Sequence, residues 1–292
     1  MNVLQSIFLG IVQGLTEFLP VSSSGHLIIL ENILGIESES SLFFHLILHI
    51  GTLAAIFWGF QKELRRLGME ILRIIYRGFR NLKIFIRNKK NGSNEAYGRV
   101  IHNNYCKFAA LLMITTIPTA MLGFVSRYIV LAAGNNTMAC GVGFLLTGIL
   151  LFVLNYSKSG KKIPRDTTFD QAMWIGICQG LAVFPGISSF GVTIAACILM
   201  GFNRKYAVKY GVMASVPVIT GAFLAELTHV GELNITLSLM GTYLAGAFTA
   251  AVVGILVIRY MISMTEKKKF LHFAVYGLVI GVASIIGNFI FA

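Results

Sequence analysis

The chain has 292 residues, of which 56% are hydrophobic and 12% charged, about half the charge density of a soluble domain. Residues 61–107 hold 15 of the 36 charges, so the other 245 residues carry only 21. This excludes a soluble globular protein and predicts a polytopic membrane protein. The net charge of +12 is confined to loops between apolar spans, which follows the positive-inside rule and argues against nucleic acid as a partner.

A membrane span needs about 20 apolar residues at roughly 1.5 Å of rise each. In chain order, the stretch of about 3–35 is apolar but interrupted near its middle by proline, serines and glycine. The first uninterrupted span is predicted at about 42–60, followed by the basic segment 61–107, whose role the sequence leaves open between a loop and amphipathic helices on the inner leaflet. Spans of about 107–126 and 136–155 come next, then a second interrupted stretch at about 170–201, then spans of about 206–227, 237–258 and 270–291. The expected fold is all-α, with six transmembrane helices and two re-entrant broken helices. Cys106, Cys140, Cys178 and Cys197 lie in or beside apolar stretches without zinc or redox spacing and read as packing residues. No basic region precedes the first apolar residues, which argues against a cleaved signal peptide.

Basic residues report the topology. The segments 61–107, 156–169, 201–209 and 259–269 carry 23 of the 24, with Lys267, Lys268 and Lys269 as a lipid-surface anchor, and are expected on the cytoplasmic side. The connections 31–41 and 227–236 hold Glu31, Glu37, Glu39 and Glu232 but no Lys or Arg, which suits the outer face. Residues 13–26 read QGLTEFLPVSSSGH and residues 179–192 read QGLAVFPGISSFGV, identical at seven of 14 positions. Three predicted spans separate the copies, an odd number, so the first opens outward and the second inward. The chain thus reads as one membrane domain, 1–292, made of an inverted repeat: about 1–155, with the insertion 61–107, and about 170–292. Both termini are expected outside.

A half-helix that starts after Ser22, Ser23, Ser24 and Gly25 offers N–H groups and a positive dipole end to a cavity, an anion site. Glu17 is set inside an apolar segment, Gln13 lies one turn before it on the same face, and His26 follows. An intramembrane carboxylate is a functional-site candidate. The plainer alternative is a protonated glutamate bonded within the bundle, with the serines as a helix cap. His45 and His49 stand at i, i+4, a spacing that suits one shared metal or two ordinary hydrogen-bonded helix histidines.

The run from Gln13 to His26 closely resembles the bacitracin-resistance type of undecaprenyl pyrophosphate phosphatase, and the likeness extends through 44–52 and 179–194 to the end of the chain, apart from 61–107. The resemblance implies a bacterial inner-membrane hydrolase that removes the terminal phosphate of the C55 lipid diphosphate on the outer face for cell-wall synthesis, with bacitracin competing for that lipid. It implies Glu17 and Gln13 as the (E/Q)xxxE pair, Ser22 and Ser23 as its hydroxyls and His26 as its histidine. Ser23 or His26 is then the nucleophile, and Glu17 the base or a ligand of a divalent cation, Mg or Ca, with Gln13 and more remotely His45 as further ligands. Gln13, Ser22, Ser24, Ser188, Ser189 and Thr193 are expected to bind the substrate phosphates. This chain departs from the family at Ser189, where an arginine is expected, at Phe190 in place of serine, at His45 in place of an acidic residue, and at Lys209 in place of a common glutamate. A compensating role for His45 with His26 is one expectation. The rival readings are a non-catalytic lipid-phosphate carrier or flippase of the same fold, and a metal transporter built on Glu17, His26, His45 and His49.

Overall fold

The computed structural model of the protein describes residues 1–36, 41–133, 136–227, 236–266 and 270–291. Among them are eleven α-helices and no β-strand: α1 Val3–Thr16, α2 Ser23–Ile33, α3 Ser41–Gly59, α4 Gln61–Asn91, α5 Asn104–Ala133, α6 Thr137–Tyr156, α7 Phe169–Leu181, α8 Ser189–Leu199, α9 Arg204–Leu227, α10 Leu237–Glu266 and α11 Phe270–Phe291. Five helices (α5, α6, α9, α10 and α11) are long and apolar enough to cross a bilayer, and there are up to six if α3 and α4, bent by 95° at their junction, count as one span. The chain is an all-α, multi-pass membrane protein. Glu37, Glu39, Glu232 and the run Lys267 to Lys269 lie outside the described residues.

Both interrupted stretches are broken helices, and the sequence shows why. A capping box starts each one: Asn2 with Gln5 on α1, and Thr168 with Gln171 on α7. Each first half ends four residues before a proline, α1 at Thr16 before Pro20 and α7 at Leu181 before Pro185. A proline has no N–H to give the carbonyl four residues back, so the ladder stops there. A serine then caps each second half, Ser22 accepting from the Gly25 N–H at 3.3 Å and Ser188 from the Gly191 N–H at 3.0 Å.

The two broken elements pack turn against turn. A Cβ added to Gly25 would stand 2.8 Å from Gly186 Cα, and one added to Gly191 would stand 3.1 Å from Pro20 Cβ. Gly25 aligns with Gly191 in the repeat, and Pro20 with Gly186, so matched positions make matched contacts. The first halves are seated alike too: α1 lies on α10 through Gly10 and Gly14, while α7 lies on α5 through the aligned Gly176 and Gly180. Small residues allow such backbone approach between membrane helices, where dispersion rather than hydrophobic exclusion drives packing. One face of α6 touches the turn pair at every step: Cys140 O meets Gly186, Gly143 meets the Pro185 carbonyl, Phe144 meets Gly25, and Thr147 Oγ donates to Gly186 O at 3.2 Å and accepts from Ser188 N at 3.0 Å.

One sequence expectation is corrected. Glu31 is no outer-connection residue: it sits in α2 with its side chain 1% exposed. The segment 61–107 is dominated by one 31-residue helix, α4, in keeping with the amphipathic helices that the sequence left open there.

Candidate active site

Three helices bring polar groups to the end of α1. Ser23 Oγ donates to Glu17 Oε2 at 2.7 Å, and Gln13 Nε2 donates to the same oxygen at 3.0 Å. From α3, His49 Nε2 stands 3.4 Å from that oxygen. His49 Nδ1 lies 2.7 Å from the His45 carbonyl, which only accepts, so the ring's Nδ1 carries hydrogen and Nε2 faces the carboxylate. An imidazole lone pair and a carboxylate repel each other, so this approach calls for a proton or a cation shared between them. Gln13 Oε1 is buried and makes no hydrogen bond, although Gln13 itself is fully buried. An orphaned buried oxygen beside a carboxylate is the kind of hard-donor pair that a Mg²⁺ or Ca²⁺ ion takes.

His45, one turn from His49 on α3, faces a different carboxylate: its Nε2 is 2.9 Å from Glu31 Oε1. The i, i+4 histidines thus hold two carboxylates from the two halves of the first broken element rather than one common partner. His26 lies on α2 with Nδ1 2.6 Å from the Ser22 carbonyl, so Nε2 accepts the Tyr276 hydroxyl at 2.7 Å. The Tyr276 ring stacks on it at 5.7 Å and Phe144 meets it edge-on at 4.9 Å. Ser22 has φ +66°, the only positive φ outside glycine among the described residues. That strained conformation turns its carbonyl toward His26 while its hydroxyl caps α2.

The structure brings Gln13, Glu17 and Ser23 together, with Ser22 and Ser24 adjoining, their hydroxyls 3.4 Å apart. In the second element Ser188 is occupied as the cap of α8, and the buried Thr193 donates to the Ser189 carbonyl at 2.7 Å. Ser189 is half-buried at the first position of α8. Gln179, which aligns with Gln13, accepts the Thr119 hydroxyl at 3.1 Å instead of meeting a carboxylate. His49's contact with Glu17, and the parts taken by Glu31 and Tyr276, are additions of the fold. The helical spacing of His45 and His49 was the one signal in the sequence that pointed toward them.

A separate group, Glu70, His102 and Cys106, has ligand atoms within 4.8 Å of one another. Arg73 donates to Glu70 at 2.9 Å, and Arg77 Nη1 lies 2.8 Å from His102 Nδ1, so two guanidiniums already occupy the places where a cation's charge would fall.

Comparison with known proteins places this geometry in context. The sequence profile described as Bacitracin resistance protein BacA matches residues 6–283. Among similar proteins, an undecaprenyl-diphosphatase of Methanosphaera stadtmanae is 36% identical over 98% of both chains. An undecaprenyl-diphosphatase of Alkaliphilus metalliredigens is 33% identical, covering 96% of this chain and 97% of its own. One of Methanobrevibacter smithii is 32% identical over 99% of this chain and 98% of its own. With the profile spanning nearly the whole chain and the Glu17, Gln13 and Ser23 cluster sitting in its first broken helix, the chain belongs to the Bacitracin resistance protein BacA family.

Proposed function

We propose that this protein is an undecaprenyl-diphosphate phosphatase and that Ser23 is its nucleophile. The observation that carries the reading is the 2.7 Å hydrogen bond from Ser23 Oγ to Glu17, at the N-terminus of α2. A serine hydroxyl is a weak nucleophile until a base takes its proton, and Glu17 stands in hydrogen-bond reach. Ser23 Oγ attacks the terminal phosphorus as its proton passes to Glu17. The bond from that phosphorus to the bridging oxygen breaks, and undecaprenyl phosphate leaves with the bridging oxygen. Glu17 gives that proton up to the departing phosphate; water then attacks the phosphoserine, its proton passes to Glu17 and on to the leaving Ser23 Oγ, and inorganic phosphate is released. The sum is one water consumed and one anhydride bond cleaved.

His26 suits this scheme as a positioning group, since both its ring nitrogens are engaged, by Ser22 and by Tyr276. The N–H groups that open α2 and α8 offer charge complementarity for the diphosphate. Gln13 Oε1 and the Glu17 carboxylate would hold a divalent cation, Mg²⁺ or Ca²⁺, which when bound neutralises phosphate charge beside Glu17. The two broken elements, matched contact for contact, support an inverted repeat of about 1–155 and 170–292; the distribution of basic residues supports the first element and both termini outward, and the family's bacitracin-resistance name supports bacitracin competing for the same lipid.

The test is phosphate release from C55 diphosphate by purified protein, with and without divalent cation, in the parent and in the Ser23→Ala and His26→Ala variants. Ser23→Ala is expected to abolish release and His26→Ala to reduce it. Full loss in His26→Ala with release retained in Ser23→Ala would move the nucleophile to His26. Saturable lipid binding with no release in the parent would support a lipid carrier instead.

A further inference from the structure

We propose that α4 is an in-plane helix that binds the anionic leaflet of the bilayer the protein spans. The helix leaves the apolar α3 at 95°, so if α3 runs across the membrane, α4 runs along its surface. Its residues divide cleanly by helical period. Leu67, Ile71 and Ile74 pack on the core near its start. On the adjoining face further along, Leu72 (68% exposed), Ile75, Phe79 (62% exposed), Leu82, Phe85 and Ile86 are largely exposed. The opposite face is already taken by the chain itself. Residues 93–102 run back along it, with Asn81 and Gly98 exchanging two hydrogen bonds of 2.8 Å, Asn88 and Glu95 exchanging two of 3.0 Å, and Arg77 donating to Arg99 O at 3.0 Å. A helix fixed by its polar face and bare on its apolar face presents that face outward.

Charge names the occupant. α4 carries ten Lys and Arg against Glu63 and Glu70, and Arg65, Lys83 and Arg87 flank the bare apolar stripe. An apolar stripe rimmed by basic residues matches acyl chains below and anionic headgroups at their edge.

The test uses the full-length chain with Cys106, Cys140, Cys178 and Cys197 replaced by alanine and a fluorophore placed at Phe79→Cys or, on the other face, Arg80→Cys. Each protein is placed singly in nanodiscs of zwitterionic lipid, alone or mixed with phosphatidylglycerol, and quenched with chain-brominated lipid. The label at 79 is expected to be quenched at least about threefold more than the label at 80. That difference should grow with phosphatidylglycerol and shrink when Arg65, Lys83 and Arg87 become glutamine. Equal, water-like signals at both positions overturn the proposal, as does quenching at 79 that ignores lipid charge. Protection of 79 only when two copies share a disc also overturns it, by making a second copy the occupant. Should the cysteine-free chain misfold, hydrogen exchange of residues 72–86 in the unmodified protein reads the same question: slower exchange with phosphatidylglycerol is expected, and unchanged exchange overturns it.

Discussion

The first broken element, α1 with α2, and the second, α7 with α8, share a skeleton and differ in chemistry. Both have a capped first half, a break four residues before a proline, a serine-capped second half and a pair of glycines seating the first half on a long helix. Yet Glu17 aligns with Val183, Ser24 with Phe190 and His26 with Val192. Each turn also contains one left-handed residue, at different places. The second element uses Gly186 (φ +83°), where no Cβ objects, and its cap Ser188 has an ordinary φ of −79°. The first uses Ser22 (φ +66°), a strain of about 1–3 kcal/mol. Strain is therefore carried only by the copy whose turn orients a histidine beside a serine and carboxylate. The skeleton is a means of breaking a helix, and only the first break carries the carboxylate, serine and histidine of the proposed reaction.

If that division is right, the largest effect belongs to the first element's carboxylate and hydroxyl. Glu17→Gln and Ser23→Ala are each expected to lower phosphate release by about a hundredfold or more, whereas Gln179→Ala in the second element should leave it within about threefold while costing about 1 kcal/mol of stability. Comparable losses in both elements would erase the distinction. The shared skeleton should instead fail symmetrically. Gly25→Ala meets Phe144 Cζ at 2.7 Å and Gly186 Cα at 2.8 Å, and Gly186→Ala meets the Cys140 carbonyl, so each is expected to cost about 2 kcal/mol or more in thermal or denaturant unfolding. His49→Gln removes the ring facing Glu17 and is expected to slow release about tenfold, equivalent to about 1.4 kcal/mol, with Glu31→Gln affecting it less. Tyr276→Phe leaves His26 Nε2 without its donor, at about 1 kcal/mol and a several-fold loss of turnover. The smallest effect is expected for Ser189→Arg, within about threefold in turnover. A guanidinium clamp matters greatly where a site is built around it, so a large gain would show that the site with Ser189 is impaired rather than rearranged.

The broken helices and the Gln13, Glu17 and Ser23 grouping were legible in the sequence because they depend on local rules: proline removes an N–H, serine caps, and residues four apart share a face. The partners of the histidines were not. Glu31 lies in an acidic stretch next to residues 37 and 39, and charge patterning assigned it to an outer connection. Only the fold turns it inward onto His45, 14 residues away. Tyr276 reaches His26 across 250 residues from a mostly apolar helix, and no periodicity marks it. In α4 the density of charge left the sequence reading open between a loop and amphipathic helices, and the structure shows the helix. α10 runs to Glu266, past the apolar window that ended near 258, because a helix does not stop where hydropathy falls but where a cap or breaker stops it.

The side of α6 that touches both turns is built from Cys140, Gly143, Phe144 and Thr147, and α6 holds no Asp, Glu, Lys or Arg. It nonetheless sets how far apart the two openings sit, because Gly143 and Thr147 grip the second turn while Phe144 presses on Gly25 and His26 of the first. A survey of substitutions scored only by enzyme activity is therefore expected to find a stripe of intolerance at every third and fourth residue of a helix without a single charged side chain. Read without the structure, such a stripe would pass for a binding surface, when it is the gauge block against which the reacting groups are held.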